Sequence, residues 1–283
     1  MNARVLLREL VPPLVVRAAR KLRGRGRNSV TEWEFFPAGF AGASDHRVRG
    51  WNEVSVLESY RKRFERERRK CEEGVPFGLE RAGQETDEGA VIMSNVALSF
   101  GTTLGLVAQR EGSLSVLDWG GGLGHYLLWG RALRPDLEFD YTVKEMPLFL
   151  EAGRELWQGE NVSFDDGNAC LSRKYDLTMA VCSLHYSSDW KSDFERLVRV
   201  TRAKIFVSRL PVCLRGESYP FIQRPYAYGY ETEYIGWCLN REEFLEVAQN
   251  LGLRLEREFV GGERPPIQNA PSPCEYRGFV FGL

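Results

Sequence analysis

The sequence lacks several features that would place it quickly in a class of protein. Its cysteines, Cys71, Cys170, Cys182, Cys213, Cys238 and Cys274, include no C-x-x-C pair, so their spacing indicates neither a zinc site nor a disulfide framework. We interpret them as thiols in a reducing, cytoplasmic compartment. No apolar run approaches the roughly 20 residues of a membrane-spanning helix, and no small-residue cleavage site marks a secretory signal. The chain is therefore expected neither to span a membrane nor to be exported.

An excess of charge of one sign is also missing. The 283 residues include 38 lysines and arginines against 39 aspartates and glutamates, a formal net charge of −1. This balance gives no general attraction for nucleic acid. The exception is the first thirty residues, which contain eight basic residues and a single acidic residue, Glu9. We interpret residues 1–28 as a basic amphipathic segment with two open roles: peripheral contact with an anionic membrane surface, or packing onto the domain as a tail.

The composition changes near residue 112. Residues 29–111 are rich in aromatic and helix-forming residues and predict a helical cap. Within it, residues 60–70 alternate in charge and predict a solvated helix face with ion pairs. In residues 112–283, short β-rich runs alternate with helical stretches. This alternation predicts a doubly wound α/β domain with a mostly parallel, seven-stranded sheet and crossover helices on both of its faces.

The predicted strands are residues 114–119, 138–143, 161–164, 175–182, 204–210, 253–260 and 276–281. Helices are predicted at residues 123–133, 147–157 and 189–200. A fourth helix begins at Asn240, with Glu243 at the spacing of a capping box. The last two strands are joined by a proline-rich loop without a helix, so we expect an antiparallel pair at one side of the sheet. A dinucleotide-binding dehydrogenase would continue with parallel βα units instead.

A glycine-rich motif follows the first predicted strand and precedes a predicted helix. Glycines let the backbone turn tightly and approach a ligand, and a helix N-terminus offers unpaired amide donors. The dinucleotide fingerprint G-x-G-x-x-G fails because its last position is His125, and no Gly-Lys-Ser/Thr follows to form a phosphate loop. The motif predicts a nucleoside-like ligand, although a tight turn alone is the plainer interpretation. Its residues are Asp118, Gly120, Gly121, Gly122 and Gly124.

Acidic residues follow the second and third predicted strands. Glu145 is placed to accept both ribose hydroxyls of a nucleoside, or to complement the dipole of the helix that starts at Pro147. Asp165 and Asp166 follow the third strand, where a carboxylate would accept the adenine amino group and where a turn is the alternative. Of these two, we take Asp166 as the candidate.

Together these features resemble class I S-adenosylmethionine-dependent methyltransferases over residues 112–283. The resemblance implies that the glycine motif and the acids after strands two and three line the cofactor, together with Cys182 at the end of strand four. A narrower set of bacterial methyltransferases, associated with surface-polysaccharide gene clusters, is similar at VLDWGGGLGHY, VKEMP, YDLTMAVCSLHY, IFVSRLPV, IQRPYAYGY and the opening LLRELVPPLVVRAARKL. That set has no established substrate. The resemblance therefore implies an association with carbohydrate synthesis but does not identify the acceptor.

Candidate catalytic residues follow the fourth strand. His185 is a candidate general base for a hydroxyl nucleophile, with Tyr186 beside it, and packing beside the cofactor is the alternative for both. A long tyrosine-rich loop before the capped helix predicts an acceptor wall, because aromatic faces stack on sugar rings and an arginine can hold a phosphate or carboxylate. The candidates in this loop are Gln223, Arg224, Tyr226, Tyr228 and Tyr230.

These features predict methyl transfer to a hydroxyl or amine of a carbohydrate or related small-molecule acceptor, without a metal. Two other classes stay open: a non-catalytic scaffold that binds S-adenosylmethionine, and an NAD(P)-dependent oxidoreductase on the fold alone. Nucleic-acid methylation is disfavoured because strand four lacks a stacking motif for a flipped base, and the basic residues are concentrated at one end of the chain. The sequence does not predict the oligomeric state.

Overall fold

The structure is a computed structural model that describes residues 31–43, 47–74, 87–107 and 112–283. The basic segment predicted at residues 1–28 lies outside the described residues. Glu32–Leu283 forms one compact unit, to which all the elements below belong. Within the described ranges, none of the helices combines the length and the apolar character needed to cross a membrane.

In the described ranges, ten strands form the sheet. They are β1 (Trp33–Phe35), β2 (Gly112–Trp119), β3 (Leu137–Lys144), β4 (Val162–Asp165), β5 (Tyr175–Val181), β6 (Thr201–Cys213), β7 (Tyr219–Gln223), β8 (Tyr234–Asn240), β9 (Arg254–Val260) and β10 (Glu275–Gly282). Seven of them lie in the order β4-β3-β2-β5-β6-β10-β9, and only β10 runs against its neighbours. The seven predicted strands and the antiparallel closing pair are therefore confirmed.

Six α-helices accompany the strands in the part of the chain that the structure describes. They are α1 (Val54–Glu73), α2 (Asp87–Val107), α3 (His125–Leu133), α4 (Pro147–Leu156), α5 (Trp190–Arg199) and α6 (Arg241–Asn250). The units β2-α3-β3-α4-β4 run toward one edge of the sheet, and β5-α5-β6 runs toward the other, so the fold is doubly wound as predicted. The α6 cap is also confirmed, because Asn240 Oδ1 accepts a hydrogen bond from Glu243 N at 2.9 Å.

Both faces of the sheet are buried. Val116 and Leu117 are consecutive residues of β2, and they belong to two different apolar cores. Successive side chains of a strand point to opposite faces, so a strand covered on both sides is apolar throughout. Phe100 and Leu127 come from the helices that cover one face, and Phe244 comes from α6 on the other.

Three more strands extend the sheet beyond one end of β6. The pairing of β5 with β6 ends at Val181 and Ser208, and β8 then pairs with β6 at Val212 and Cys213. β7 is antiparallel to β8, and β1 is antiparallel to β7. The segment predicted as a long loop therefore contains parts of two strands, since Gln223 ends β7 and Tyr234 begins β8. Backbone pairing along the extended β6 overrides the loop-like composition of this segment.

The region before β2 packs against the helices at the carboxyl end of the sheet. Asn52 Oδ1 accepts a hydrogen bond from Leu148 N at 3.1 Å and so satisfies an amide in the first turn of α4. Phe64 of α1 is 1% exposed and packs edge-on against Trp157. The predicted ion pairs of residues 60–70 occur, as between Arg68 and Glu65, but the opposite face of α1 is buried.

Candidate active site

A cavity of about 360 Å³ lies at the carboxyl end of the sheet. Its lining includes Gly120 after β2, Glu145 after β3, Cys182 after β5 and Arg209 within β6. The chain winds in opposite directions on the two sides of the β2-β5 boundary, and ligands of open α/β sheets bind at such switch points. The fold therefore selects this cavity as the candidate active site.

The glycines after Asp118 leave no room for side chains. A Cβ atom at Gly120 would lie 2.4 Å from Ser183 Cβ, and one at Gly121 would lie 2.4 Å from Asp118 Oδ2. Gly122 has a φ of +60°, in the left-handed region that favours glycine, and a Cβ there would lie 2.7 Å from Tyr60 Cε1. Three neighbouring elements thus approach this loop closely.

Asp118 is buried beneath the loop. Its Oδ2 accepts a hydrogen bond from the Tyr141 hydroxyl at 2.8 Å, while Oδ1 has no hydrogen-bond partner among the described residues. Burial raises the pKa of Asp118 to about 7; the Tyr141 bond opposes this rise, and the negative charge of Glu145 adds to it. A substantial fraction of Asp118 is therefore protonated near neutral pH.

Glu145 joins the glycine loop to the start of α4. Its Oε1 accepts a hydrogen bond from Gly122 N at 3.2 Å, and its Oε2 accepts one from Met146 N. Burial raises the pKa of Glu145, and the two amide donors oppose this rise. The carboxylate lies at the cavity wall, where each oxygen keeps a further lone pair for a ligand hydroxyl.

Asp165 and Asp166 do not line the cavity. Asp165 accepts hydrogen bonds from Gly167 N at 2.9 Å and Cys170 N at 2.6 Å, and so forms the turn that follows β4. Burial raises the pKa of Asp165, but these amide bonds outweigh it and hold the pKa below its ordinary value. Asp166 is exposed, and its carbonyl oxygen accepts a hydrogen bond from Lys144 Nζ at 2.7 Å.

Two residues of the cavity wall have left-handed backbones without being glycine. The φ angles are +54° at Cys182 and +48° at Arg209. In β6, Ser208 and Arg209 together oppose the single residue Gly278 of β10, which is the arrangement of a β-bulge. Such a backbone costs on the order of 1–3 kcal/mol, and a bulge redirects a side chain. At this bulge the redirected side chain is Arg209, which lines the cavity.

The two histidines near the site lie in different environments. His185 is fully buried against Tyr186, with ring centroids 4.0 Å apart, and does not line the cavity. Burial, with the charge of Arg209, holds the pKa of His185 well below its ordinary value. His125 lines the cavity at 5% exposure, and burial lowers its pKa as well. Both imidazoles are therefore neutral at physiological pH.

Aromatic side chains form another wall of the cavity. Trp51 and Tyr234 stack with ring centroids 4.2 Å apart, and Tyr186 packs edge-on against Trp51 at 5.1 Å. We call these three residues the aromatic wall. The Tyr186 hydroxyl also donates a hydrogen bond to Gln223 Oε1 at 3.1 Å.

The five residues predicted for the acceptor divide into two groups. Gln223, Tyr228 and Tyr230 line the cavity. Arg224 does not, because its guanidinium forms ion pairs with Glu34 at 2.8 Å and with Glu233 at 3.5 Å. The Tyr226 hydroxyl is likewise turned away from the cavity and donates a hydrogen bond to Glu233.

Helix α1, for which the sequence predicts only a solvated face, contributes Tyr60 and Arg63 to the cavity. The Arg63 guanidinium lies over the Tyr60 ring, 4.1 Å from its centroid. Tyr60, Arg63 and the buried Phe64 have i, i+3, i+4 spacing, which marks one face of a helix. That spacing was the available signal that this face of the helix is not solvated.

No protein-family profile and no curated protein matches the chain. Similar solved structures include an S-adenosylmethionine-dependent methyltransferase from Clostridium acetobutylicum, at 13% identity over 67% of this chain and 91% of that one (TM-score 0.46). Another is magnesium protoporphyrin IX methyltransferase from Synechocystis, at 12% identity over 82% and 96% (TM-score 0.48). A third is 1,6-didemethyltoxoflavin-N1-methyltransferase from Burkholderia thailandensis, at 16% identity over 69% and 79% (TM-score 0.43). The fold assignment depends on the strand order and not on these similarities.

Proposed function

We propose that the protein transfers a methyl group from S-adenosylmethionine to a hydroxyl or amine of a small acceptor, with carbohydrates as the first class to test. The observation that carries the proposal is the position of Glu145. Its carboxylate lies at the end of β3, hydrogen-bonded to the glycine loop and facing the switch-point cavity. An acid at this position suits the two hydroxyls of a ribose.

The loop itself fits a nucleoside cofactor. Gly120 and Gly121 line the cavity without side chains, so their backbone can lie directly against a ligand. Glu145 would hold the ribose, and Cys182 and Ser183 line the cavity beside the loop. Asp165 and Asp166 stay predictions for the adenine end, although their side chains do not line the cavity.

When bound, S-adenosylmethionine supplies an electrophilic methyl group, and transfer is an in-line displacement that depends mainly on the alignment of the nucleophile. The contribution of this chain is to hold the acceptor and exclude water. The aromatic wall offers ring faces that stack on a sugar or another ring, while Gln223 and the tyrosine hydroxyls offer hydrogen bonds.

The proton of an acceptor hydroxyl needs a base. The catalytic roles predicted for His185 and Tyr186 stay predictions, and their positions favour different tasks. Tyr186 lines the cavity, whereas His185 packs behind it as a positioning residue. His125 is the neutral imidazole that lines the cavity and is the second candidate for the base.

Three narrower predictions accompany the proposal: a place in surface-polysaccharide synthesis, a cytoplasmic location and peripheral membrane contact through residues 1–28. Against an oxidoreductase, β10 runs antiparallel between β6 and β9, where a dinucleotide-binding sheet continues in parallel. Against a non-catalytic scaffold, the cavity extends past the glycine loop to the aromatic wall, which leaves space for an acceptor.

Calorimetry tests the proposal directly. S-adenosylhomocysteine should bind to the purified protein, and NAD and NADP should not. Gly122→Arg should abolish this binding, because a side chain at residue 122 would collide with Tyr60. Binding of NAD without S-adenosylhomocysteine would overturn the assignment. Binding of S-adenosylhomocysteine without methyl transfer to any cell extract would favour the scaffold.

A further inference from the structure

Two arginines reach the same cavity from distant parts of the sequence. Arg63 comes from α1, and Arg209 comes from the bulge in β6. The Nε atom of each guanidinium is buried and has no hydrogen-bond partner among the described residues. A buried donor of this kind is costly unless a ligand satisfies it.

The acids that line the cavity already have partners. Glu145 accepts from backbone amides, and Asp193 accepts from the Ser187 hydroxyl at 2.7 Å. Glu263 forms an ion pair with Arg209 at 3.0 Å. In the described parts of the chain, Arg63 has no carboxylate partner and instead lies over the Tyr60 ring. Counting only the described residues, the cavity therefore contains one guanidinium without a carboxylate partner and a second whose Nε–H is still available.

The position of Arg209 separates it from the proposed ribose site. Glu145 follows β3 and Arg209 lies in β6, so the strand order β3-β2-β5-β6 places three strand spacings between them, or about 14 Å. Arg209 is also close to the ring of Tyr276 in β10, with a distance of 5.7 Å to the centroid. It thus lies toward the edge of the cavity that is distant from Glu145.

We propose that the acceptor carries a carboxylate or phosphate group, which Arg63 and Arg209 bind while the aromatic wall packs on its ring. This inference rests on the proposed function and narrows its acceptor to an acidic or phosphorylated sugar. Guanidinium groups suit both anions because their planar fork donates two parallel hydrogen bonds. The left-handed backbone at Arg209 also suits a binding site, because backbone strain of this kind clusters where ligands are held.

The test uses three probes that share one ring: glucose, glucuronate and glucose 6-phosphate. Each is titrated into protein saturated with S-adenosylhomocysteine. We expect at least one anionic probe to bind at least tenfold more tightly than glucose. Arg63→Met and Arg209→Met should each remove this preference. Arg254→Met is the matched control, because Arg254 is 73% exposed on β9 and does not line the cavity.

A fourth variant keeps the test valid if an arginine variant fails to fold. Glu263→Gln removes the negative charge that faces Arg209 while keeping the size of the side chain. We expect this variant to bind the anionic probe several-fold more tightly and to bind glucose no better. A purely structural role for Glu263 predicts no gain, so an unchanged or weaker affinity for the anion would contradict the proposal.

The methionine carboxylate of the cofactor is the other source of such an anion, and 5′-methylthioadenosine, which lacks the amino-acid part, distinguishes the two. If Arg63→Met and Arg209→Met weaken binding of S-adenosylhomocysteine but not of methylthioadenosine, the arginines bind the cofactor and the proposal is wrong. Equal binding of all three sugar probes, or no binding of either anionic probe, also overturns it. Failure of the wild-type protein to bind S-adenosylhomocysteine would instead contradict the proposed function.

Discussion

Gly121 lies against the carboxylate of Asp118, so closely that a Cβ atom at residue 121 would be 2.4 Å from Asp118 Oδ2. The backbone of Gly121 is not among those in the left-handed region, unlike that of Gly120 or Gly122. Steric exclusion by the buried acid, and not the φ angle, therefore requires glycine at this position. The acid and the loop form one packed unit at the end of β2.

Gly121→Ala should displace the loop or the acid beneath it. We expect at least a tenfold loss of affinity for S-adenosylhomocysteine, measured by calorimetry, and a decrease of about 1–3 kcal/mol in the free energy of unfolding, because overpacking a close contact costs that much. Gly105→Ala in α2 is the matched control, since a Cβ there meets nothing within 4 Å. Wild-type affinity in Gly121→Ala would show that the loop adapts freely.

Asp118 should make the stability of the ligand-free protein depend on pH. Its pKa is raised to about 7, so between pH 4 and 7 the folded state binds more protons than the unfolded state and loses stability as the pH rises. Asp118→Asn removes this titration. From pH 5 to pH 8, we expect the variant to gain about 2.6 kcal/mol relative to wild type in urea denaturation, because nearly two pH units of this range lie below the folded pKa and each contributes about 1.4 kcal/mol. Parallel pH profiles would mean that Asp118 stays ionised in the fold.

Much of the fold is predictable because its strands are buried on both faces. Consecutive apolar residues, such as Val116 and Leu117 in β2, indicate such strands, and the Asn240 cap is a local signal read within four residues. β7 and β8 were missed because their pairing is not local. β8 is a strand because β6 continues past the end of β5 and offers it an unpaired edge. Composition does not reveal such an edge.

The residues of the candidate site also differ in whether the sequence alone predicts them. The glycine loop and Glu145 are predictable because they directly follow strands, whose carboxyl ends meet at one edge of the sheet. Arg209 was not predictable, since its direction depends on a bulge opposite β10, which is distant in sequence. For Arg224, chemistry alone suggested an anion site, whereas the structure supplies the carboxylates of Glu34 and Glu233 as its partners.

Glu145→Gln should weaken cofactor binding more than folding. The amide keeps one acceptor oxygen toward the loop but loses the charge and one of the two acceptors offered to ribose hydroxyls. We expect a tenfold to hundredfold loss of affinity for S-adenosylhomocysteine, with a melting temperature close to that of wild type. Glu138→Gln, at the exposed opposite end of β3, should leave both unchanged. An unchanged affinity in Glu145→Gln would restrict Glu145 to its role at the start of α4.

His185→Phe separates packing from proton transfer. Both ring nitrogens of His185 are buried without a hydrogen-bond partner among the described residues, and phenylalanine keeps an aromatic ring beside Tyr186. Because an unsatisfied buried polar group costs about 1–3 kcal/mol, we expect the variant to be more stable. Its rate of methyl transfer should fall less than tenfold. A fall of two orders of magnitude at unchanged cofactor affinity would assign the general base to His185.

Cys213 and Asn240 are register partners in the pairing of β6 with β8. The chain between them therefore leaves the seven-stranded sheet and returns to it at neighbouring positions, directly before α6. The insertion also holds the start of that helix, because Ser218 Oγ accepts a hydrogen bond from Asn240 N at 2.7 Å and the Gly216 carbonyl oxygen accepts one from Asn240 Nδ2 at 2.7 Å. A change of length or sequence within residues 214–239 is therefore expected to alter the cavity wall and the first turn of α6 together.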